Sequence, residues 1–151
     1  MNAMTEWSAD DATETTPATL LLGNIIAEVA GGATPAQRRA FFRAVGARIA
    51  KAHPIGDVSD IATLAASINR LWTEHDCGQV RFEQVEDGLL ITHTGFARRL
   101  SSMLGGATEQ SLRPILEGAY DAWLHTLGSG ANLTTRTLWW SDTEARLKHG
   151  R

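Results

Sequence analysis

The sequence lacks the features that mark secreted, membrane-spanning or nucleic-acid-binding proteins. Cys77 is its one cysteine, which excludes an intramolecular disulfide framework and agrees with a reducing compartment. No apolar stretch approaches the roughly 18 residues of a membrane span, and the longest candidate, residues 20–30, is interrupted by Asn24 and Glu28. The formal net charge is −3, so no global field attracts nucleic acid or an anionic membrane. We expect a neutral partner instead, either another protein or an uncharged polymer.

The amino terminus also lacks a secretory signal. Residues 1–16 contain four acidic residues and no basic one, so the basic start and the apolar run of a signal peptide are both missing. Residues 8–17 are small, polar and acidic, and they do not bury enough apolar surface to offset the ordering of their backbone. We therefore predict a cytoplasmic protein with a flexible acidic arm at residues 1–17.

No set of catalytic residues can be assembled from the sequence. The serines lie in loop or capping contexts, and neither a nucleophile elbow nor a catalytic cysteine pattern is present. The one local metal-ligand cluster is His75, Asp76 and Cys77, with His93 across a predicted hairpin. Its residues do not have the short ligand spacing of structural zinc sites, so ordinary surface or core roles are favoured. We expect no enzyme activity, no metal and no cofactor.

Apolar residues recur at helical spacing in four segments. The second segment begins at Thr34-Pro35, a capping hydroxyl followed by a proline at the first helical position. Ser59 or Asp60 can cap the third. The fourth keeps the i, i+3, i+4 spacing over four turns, which is the strongest pattern in the chain. The predicted helices cover residues 18–30, 35–53, 60–77 and 112–127.

The remaining structured segments are typical of strands. Residues 79–94 predict a β-hairpin that turns at Asp87-Gly88, and residues 133–140 predict a third strand rich in β-branched and aromatic residues. Residues 95–106 are interpreted as a loop with a turn of helix, and residues 144–151 as a polar C-terminal tail outside a single domain at 18–143. The predicted class is α+β, with about four amphipathic helices on one face of a small antiparallel sheet.

Two features of these elements predict close contacts. Trp139 and Trp140 are adjacent in the third predicted strand, so they point to opposite sides and one of them faces away from the core. We interpret the outward tryptophan as a contact between copies in preference to a ligand platform, because aromatic anchors dominate protein interfaces. In the longest helix, Gly118 permits close backbone approach, which predicts a place at an interface or in tight helix packing.

The second predicted helix carries a basic face formed by Arg38, Arg39, Arg43 and Lys51. Such a face is compatible with phosphate binding, but no glycine-rich loop accompanies it. Runs of like charge on a helix are usually solvated. We therefore interpret these residues as a solvent-facing surface.

The order and spacing of several motifs carry a family resemblance. Residues 113–123 (RPILEGAYDAW) resemble the Leu-Glu-Gly-x-Tyr-x-x-Trp block of the bacterial cellulose synthase protein BcsD. Residues 45–50 (VGARIA), the third helix ending at a glycine and the hairpin at 79–94 add to the similarity, which spans about residues 18–140. The sequence departs from the family in an insert at 95–108, in the loop after the second helix and in the acidic arm.

The resemblance implies a non-catalytic accessory component of the cellulose synthase complex. Such proteins form dimers and then a ring-like octamer, and they organise the export and crystalline assembly of glucan chains at the inner face of the membrane-bound synthase. The implied partners are further copies of the chain, the other synthase components, the glucan chain and a Pro-rich scaffold protein. Glucan is thought to pass through channels bordered by the amino-terminal segments.

Candidate contact residues follow for these partners. Sugar rings stack on aromatic faces, so Trp7 in the arm is the candidate glucan contact, and Trp139, Trp140 and Gly118 are the interface candidates. Two other classes fit a compact acidic α+β protein of this size. One is a dimeric secretion chaperone, which would not form a closed ring, and the other is a ligand-sensing regulatory domain, which would need a cavity between the long helix and the sheet.

Overall fold

The computed structural model describes residues 16–96, 100–101 and 108–151. Trp7 and most of the insert at 95–108 lie outside this part of the chain. The described elements confirm the predicted α+β class, including the hairpin. In chain order they are α1 (Pro17–Gly32), α2 (Pro35–Ala52), α3 (Ile61–Glu74), β1 (Gln79–Val85), β2 (Gly88–Thr94), α4 (Thr108–Thr126), β3 (Thr134–Trp140) and β4 (Glu144–Gly150).

The helix starts follow the capping signals in the sequence. The Thr34 side chain accepts a hydrogen bond from the Gln37 N–H while the Gln37 side chain accepts one from the Thr34 N–H, and Pro35 occupies the first turn of α2. Such reciprocal caps satisfy two backbone donors that the helix itself leaves unpaired. At α3 the Asp60 carboxylate accepts from the Thr63 N–H at 2.7 Å. The chain therefore enters both helices at fixed positions.

The four strands form one antiparallel sheet in the order β1-β2-β4-β3. In the register, Phe82 on β1 lies opposite Ile91 on β2, which in turn lies opposite Leu147 on β4. All three side chains are buried, because successive residues of a strand point to opposite faces and these share the face toward the helices. The other face carries charged side chains such as Arg146 and Glu83.

The prediction of a polar tail at residues 144–151 is wrong. These residues form β4, which lies between β2 and β3 and pairs with both along its length. Ala145, Leu147 and His149 point into the core and are at most 3% exposed, while the charged residues between them point outward. This is a strict strand alternation. It was missed because an alanine and a histidine supply two of the three inward positions, so the segment looks polar as a whole.

Helices α2 and α4 cross with their backbones in direct contact, and a glycine on each helix makes this possible. A Cβ added to Gly46 would lie 2.0 Å from the Ile115 carbonyl oxygen, and one added to Gly118 would lie 2.0 Å from the Arg43 carbonyl oxygen. No side chain of any size fits at either position. Gly118 thus makes tight helix packing inside the chain, and we do not propose it as a contact between copies.

We predict that Gly46→Ala and Gly118→Ala each destabilise the protein by about 1–3 kcal/mol, because the added methyl group must push two helix backbones apart. Gly31→Ala is the matched control, since its Cβ meets nothing within 4 Å. That change should be neutral or slightly stabilising, as alanine favours a helix over glycine. Denaturant unfolding of the three variants measures the difference. Equal stability of all three would contradict the close crossing.

Candidate functional site

Helix α1 presents a stripe of large aliphatic side chains to solvent. Leu21, Leu22 and Ile25 are 64%, 41% and 55% exposed, and their spacing places them on one side of the helix together with Val29. Ile26 is the α1 residue that is buried. A helix of this length is marginal in water unless its apolar face is packed. The α1 stripe, defined as Leu21, Leu22, Ile25 and Val29, is therefore a candidate contact surface.

A second apolar surface lies on β3, which is an edge strand of the sheet. A bulge at Leu138 shifts the register, so that Trp139 lies opposite Arg146 and Trp140 lies opposite Ala145. Trp139 accordingly faces outward and is 48% exposed, with the Arg146 guanidinium 5.3 Å from its ring centroid. Trp140 packs against the core. In the structure the two rings therefore lie on opposite sides of the strand, and Trp139 is the outward one.

A buried carboxylate links the crossing of α2 and α4 to β3. Glu117 is 4% exposed, and its Oε2 accepts hydrogen bonds from Arg39 and Arg43 at 3.0 and 2.9 Å. Its Oε1 accepts from the backbone N–H and the hydroxyl of Thr137 on β3. A buried carboxylate is stable only when its oxygens are paired in this way.

The electrostatics of Glu117 agree with this geometry. Burial by itself would raise the pKa of Glu117, but the Thr137 hydrogen bonds and the positive charge of Arg39 outweigh it and hold the pKa below its ordinary value. The sequence pattern placed Arg43 on a solvated face and did not indicate its pairing with Glu117. Each of the two residues is close in sequence to a glycine of the crossing, which is the signal that indicates their proximity.

The predicted histidine and cysteine cluster is a core hydrogen-bond network. The Trp72 indole N–H donates to the Tyr120 hydroxyl, which donates to His93 Nδ1 at 2.6 Å. His93 Nε2 donates to the Cys77 carbonyl oxygen at 2.7 Å, since a carbonyl can only accept. Both ring nitrogens are thus committed, and His93 is fully buried. Neither nitrogen is available as a metal ligand.

Metal ligands and membrane spans were also sought across the described ranges. These contain no group of three histidine, cysteine, aspartate or glutamate side chains placed to hold a metal ion. None of the helices in the same ranges combines the length and the apolar character needed to cross a membrane.

The fold and its surfaces define a small α+β protein whose solvent-facing apolar groups lie on a surface helix and on an edge strand. A family model for the BcsD component of cellulose synthase matches residues 5–150, which includes β4 and most of the arm. The chain belongs to this cellulose synthase BcsD family, and the resemblance noted in residues 113–123 is confirmed. Its role is that of an accessory component in cellulose synthesis. A search of curated proteins returned no match.

The environment of His93 predicts how stability depends on pH. Burial lowers the pKa of His93 from 6.5 to about 4, partly offset by its hydrogen bond to Cys77. Between these two values the unfolded chain binds a proton that the folded chain does not, so stability is lost as the pH falls from 6.5 toward 4. We expect this residue to contribute a loss of roughly 3 kcal/mol over the full interval.

Denaturant unfolding at several pH values, in the wild type and in His93→Gln, measures this contribution. Glutamine can donate to the Cys77 carbonyl but does not titrate. The variant should therefore lose distinctly less stability than the wild type as the medium is acidified. Parallel pH curves for the two proteins would contradict a neutral buried His93.

Proposed function

We propose that this protein is a non-catalytic scaffold component of the cellulose synthase complex. It forms dimers that close into a ring-like octamer, and the ring organises the export and crystalline assembly of glucan chains at the cytoplasmic face of the synthase. The observation that carries the proposal is the exposed α1 stripe in a chain of this family. The family membership supports the cellulose-related role, and the stripe supports self-association.

The chemistry of the α1 stripe favours a second copy of the chain as its occupant. Leu21, Leu22 and Ile25 carry no charge and no hydrogen-bonding group, so they suit an equally apolar partner. Two copies related by a two-fold axis each bring the same stripe to the contact, and both stripes leave water together. A dimer is the product of this contact alone.

A ring needs a second contact surface that differs from the first, because one isologous surface closes after two copies. The outward Trp139 on the β3 edge supplies such a surface. It combines a large exposed aromatic ring with unpaired strand-edge backbone groups, both of which a neighbouring dimer can cover. Trp140 is half-buried against the core, so the interface role predicted for the tryptophan pair falls to Trp139.

The remaining partners follow from the family role. The other synthase components and a Pro-rich scaffold protein would bind the assembled ring, and Trp7 remains the candidate for contact with the glucan chain. Glucan is uncharged, so an aromatic ring that stacks on sugar faces suits it better than an ionic group does. No step of this role requires the protein to make or break a covalent bond.

Light scattering of the purified chain over a range of concentrations tests the proposal. We expect a stable particle of about eight times the 16.3 kDa chain mass. Ile25→Glu should reduce this mass at least by half, because it places a charge in an apolar contact. Ala27→Glu is the matched control, as it adds the same charge at an exposed position two residues, or roughly 200°, further round α1.

The control should keep the wild-type mass. A wild-type protein that stays dimeric at all concentrations would contradict the ring and favour a dimeric secretion chaperone. A monomer would contradict both functions. If Ala27→Glu and Ile25→Glu have the same effect, the α1 stripe is not the contact.

Substitution of Trp139 tests the second surface separately. Trp139→Ala should leave dimers intact but prevent their closure into a ring, so the particle mass should fall toward that of a dimer. The thermal midpoint of unfolding should change little, because the indole is half exposed in the single chain. Leu127→Ala, at an exposed apolar residue beyond α4, is the control and should keep the full mass. An unchanged mass in Trp139→Ala would refute the role of the edge strand.

A further inference from the structure

An open cleft of about 640 Å³ lies where the start of α2, the first half of α4 and β3 meet. This volume is within the range of small-molecule sites in proteins. The cleft is built from three separate elements, so its position depends on the helix crossing and on the link from Glu117 to β3. Its lining residues include four arginines, Arg38, Arg39, Arg113 and Arg136.

The charge in this cleft is not balanced by its own lining. Glu117 is the lining carboxylate, and its Oε2 is already shared by Arg39 and by Arg43 on the neighbouring turn. Arg113 pairs with Glu109 at 3.1 Å, but both side chains are about half exposed, so water screens the pair. The four lining guanidinium groups thus face one lining carboxylate. The positive charge is concentrated here although the whole chain is acidic, at −3.

Arg38 has the least complete set of partners among these arginines. Its guanidinium donates to the Gln110 side-chain oxygen, which is neutral, and its buried Nε–H has no acceptor among the described residues. A buried donor without an acceptor is costly. An oxyanion that drew the guanidinium into the cleft would give it a charged acceptor and release it from the amide.

We propose that this cleft binds a small ligand that carries two or more oxyanion groups, either phosphates or carboxylates. Arginine presents a planar fork of N–H donors that matches the oxygens of both groups. No aromatic ring is among the residues that line the cleft, so a neutral sugar chain lacks a stacking surface there. The site goes beyond the scaffold role, because it would let the protein respond to a charged metabolite.

Isothermal titration of the full-length chain with pyrophosphate and, separately, with citrate tests the proposal. We expect one ligand per chain for at least one of these probes, and the stronger of the two identifies phosphate or carboxylate as the preferred group. In Arg38→Gln/Arg113→Gln the affinity should fall at least about tenfold, as two charge-assisted hydrogen bonds are lost.

Arg48→Gln/Arg81→Gln is the matched control. It removes the same two charges at exposed positions outside the cleft and should change the affinity less than about twofold. Light scattering and thermal unfolding of each variant confirm that assembly and fold are retained. Absence of binding by both probes would overturn the proposal. Equal losses in the two double variants would also overturn it, because they would show general ionic attraction instead of a site.

Discussion

The direct backbone contact between α2 and α4 is the constraint on which the rest of the structure depends. Because Gly46 and Gly118 carry no side chain, the two helices approach until each glycine rests on a carbonyl oxygen of the other helix. The approach brings Arg43 to the Glu117 carboxylate. Glu117 in turn holds Thr137, so the helix pair is tied to the edge strand of the sheet. One contact thereby fixes the relative position of three elements.

The family motif around Gly118 can be understood from this contact. Glu117 and Gly118 serve the crossing, while Tyr120 and Trp123 lie on the adjacent side of α4 and enter the core. Tyr120 is fully buried and connects Trp72 to His93 through its hydroxyl group. The residues of the motif are thus accounted for by folding. This agrees with a scaffold role, in which the chemistry lies in assembly.

Helix α1 is the element that this arrangement leaves outside. The inward stripe of α2, formed by Phe42, Gly46 and Ala50, is buried, and α1 adds a single buried side chain to the molecule. Its other aliphatic side chains remain in water, which is costly at roughly 25 cal/mol per Å² of apolar surface. Covering them with a second copy removes this cost. The same contact would stabilise a helix that is marginal by itself.

Local signals in the sequence were sufficient to locate most elements. Capping at Thr34 and Asp60, the hairpin turn near Asp87 and the adjacent tryptophans of β3 each act over a few residues, so they can be identified without the fold. The partner of Gly118 could not be predicted, because it lies more than 70 positions away and depends on the helix crossing.

Two further features were hidden by composition. The strand β4 was misread since its inward positions are not strongly apolar. The cleft was missed because it joins arginines from three elements, and only those of α2 were recognised together in the sequence.

Hydrogen exchange in residues 17–32 of the full chain is the most direct test of the central claim, that α1 is an assembly surface. The amides of α1 should be strongly protected at concentrations where the particle is assembled. After dilution to the dissociated chain they should exchange far faster, while the amides of β2 and β4 keep their protection. Fast exchange throughout α1 in the assembled particle would show that α1 stays uncovered, and it would contradict the account.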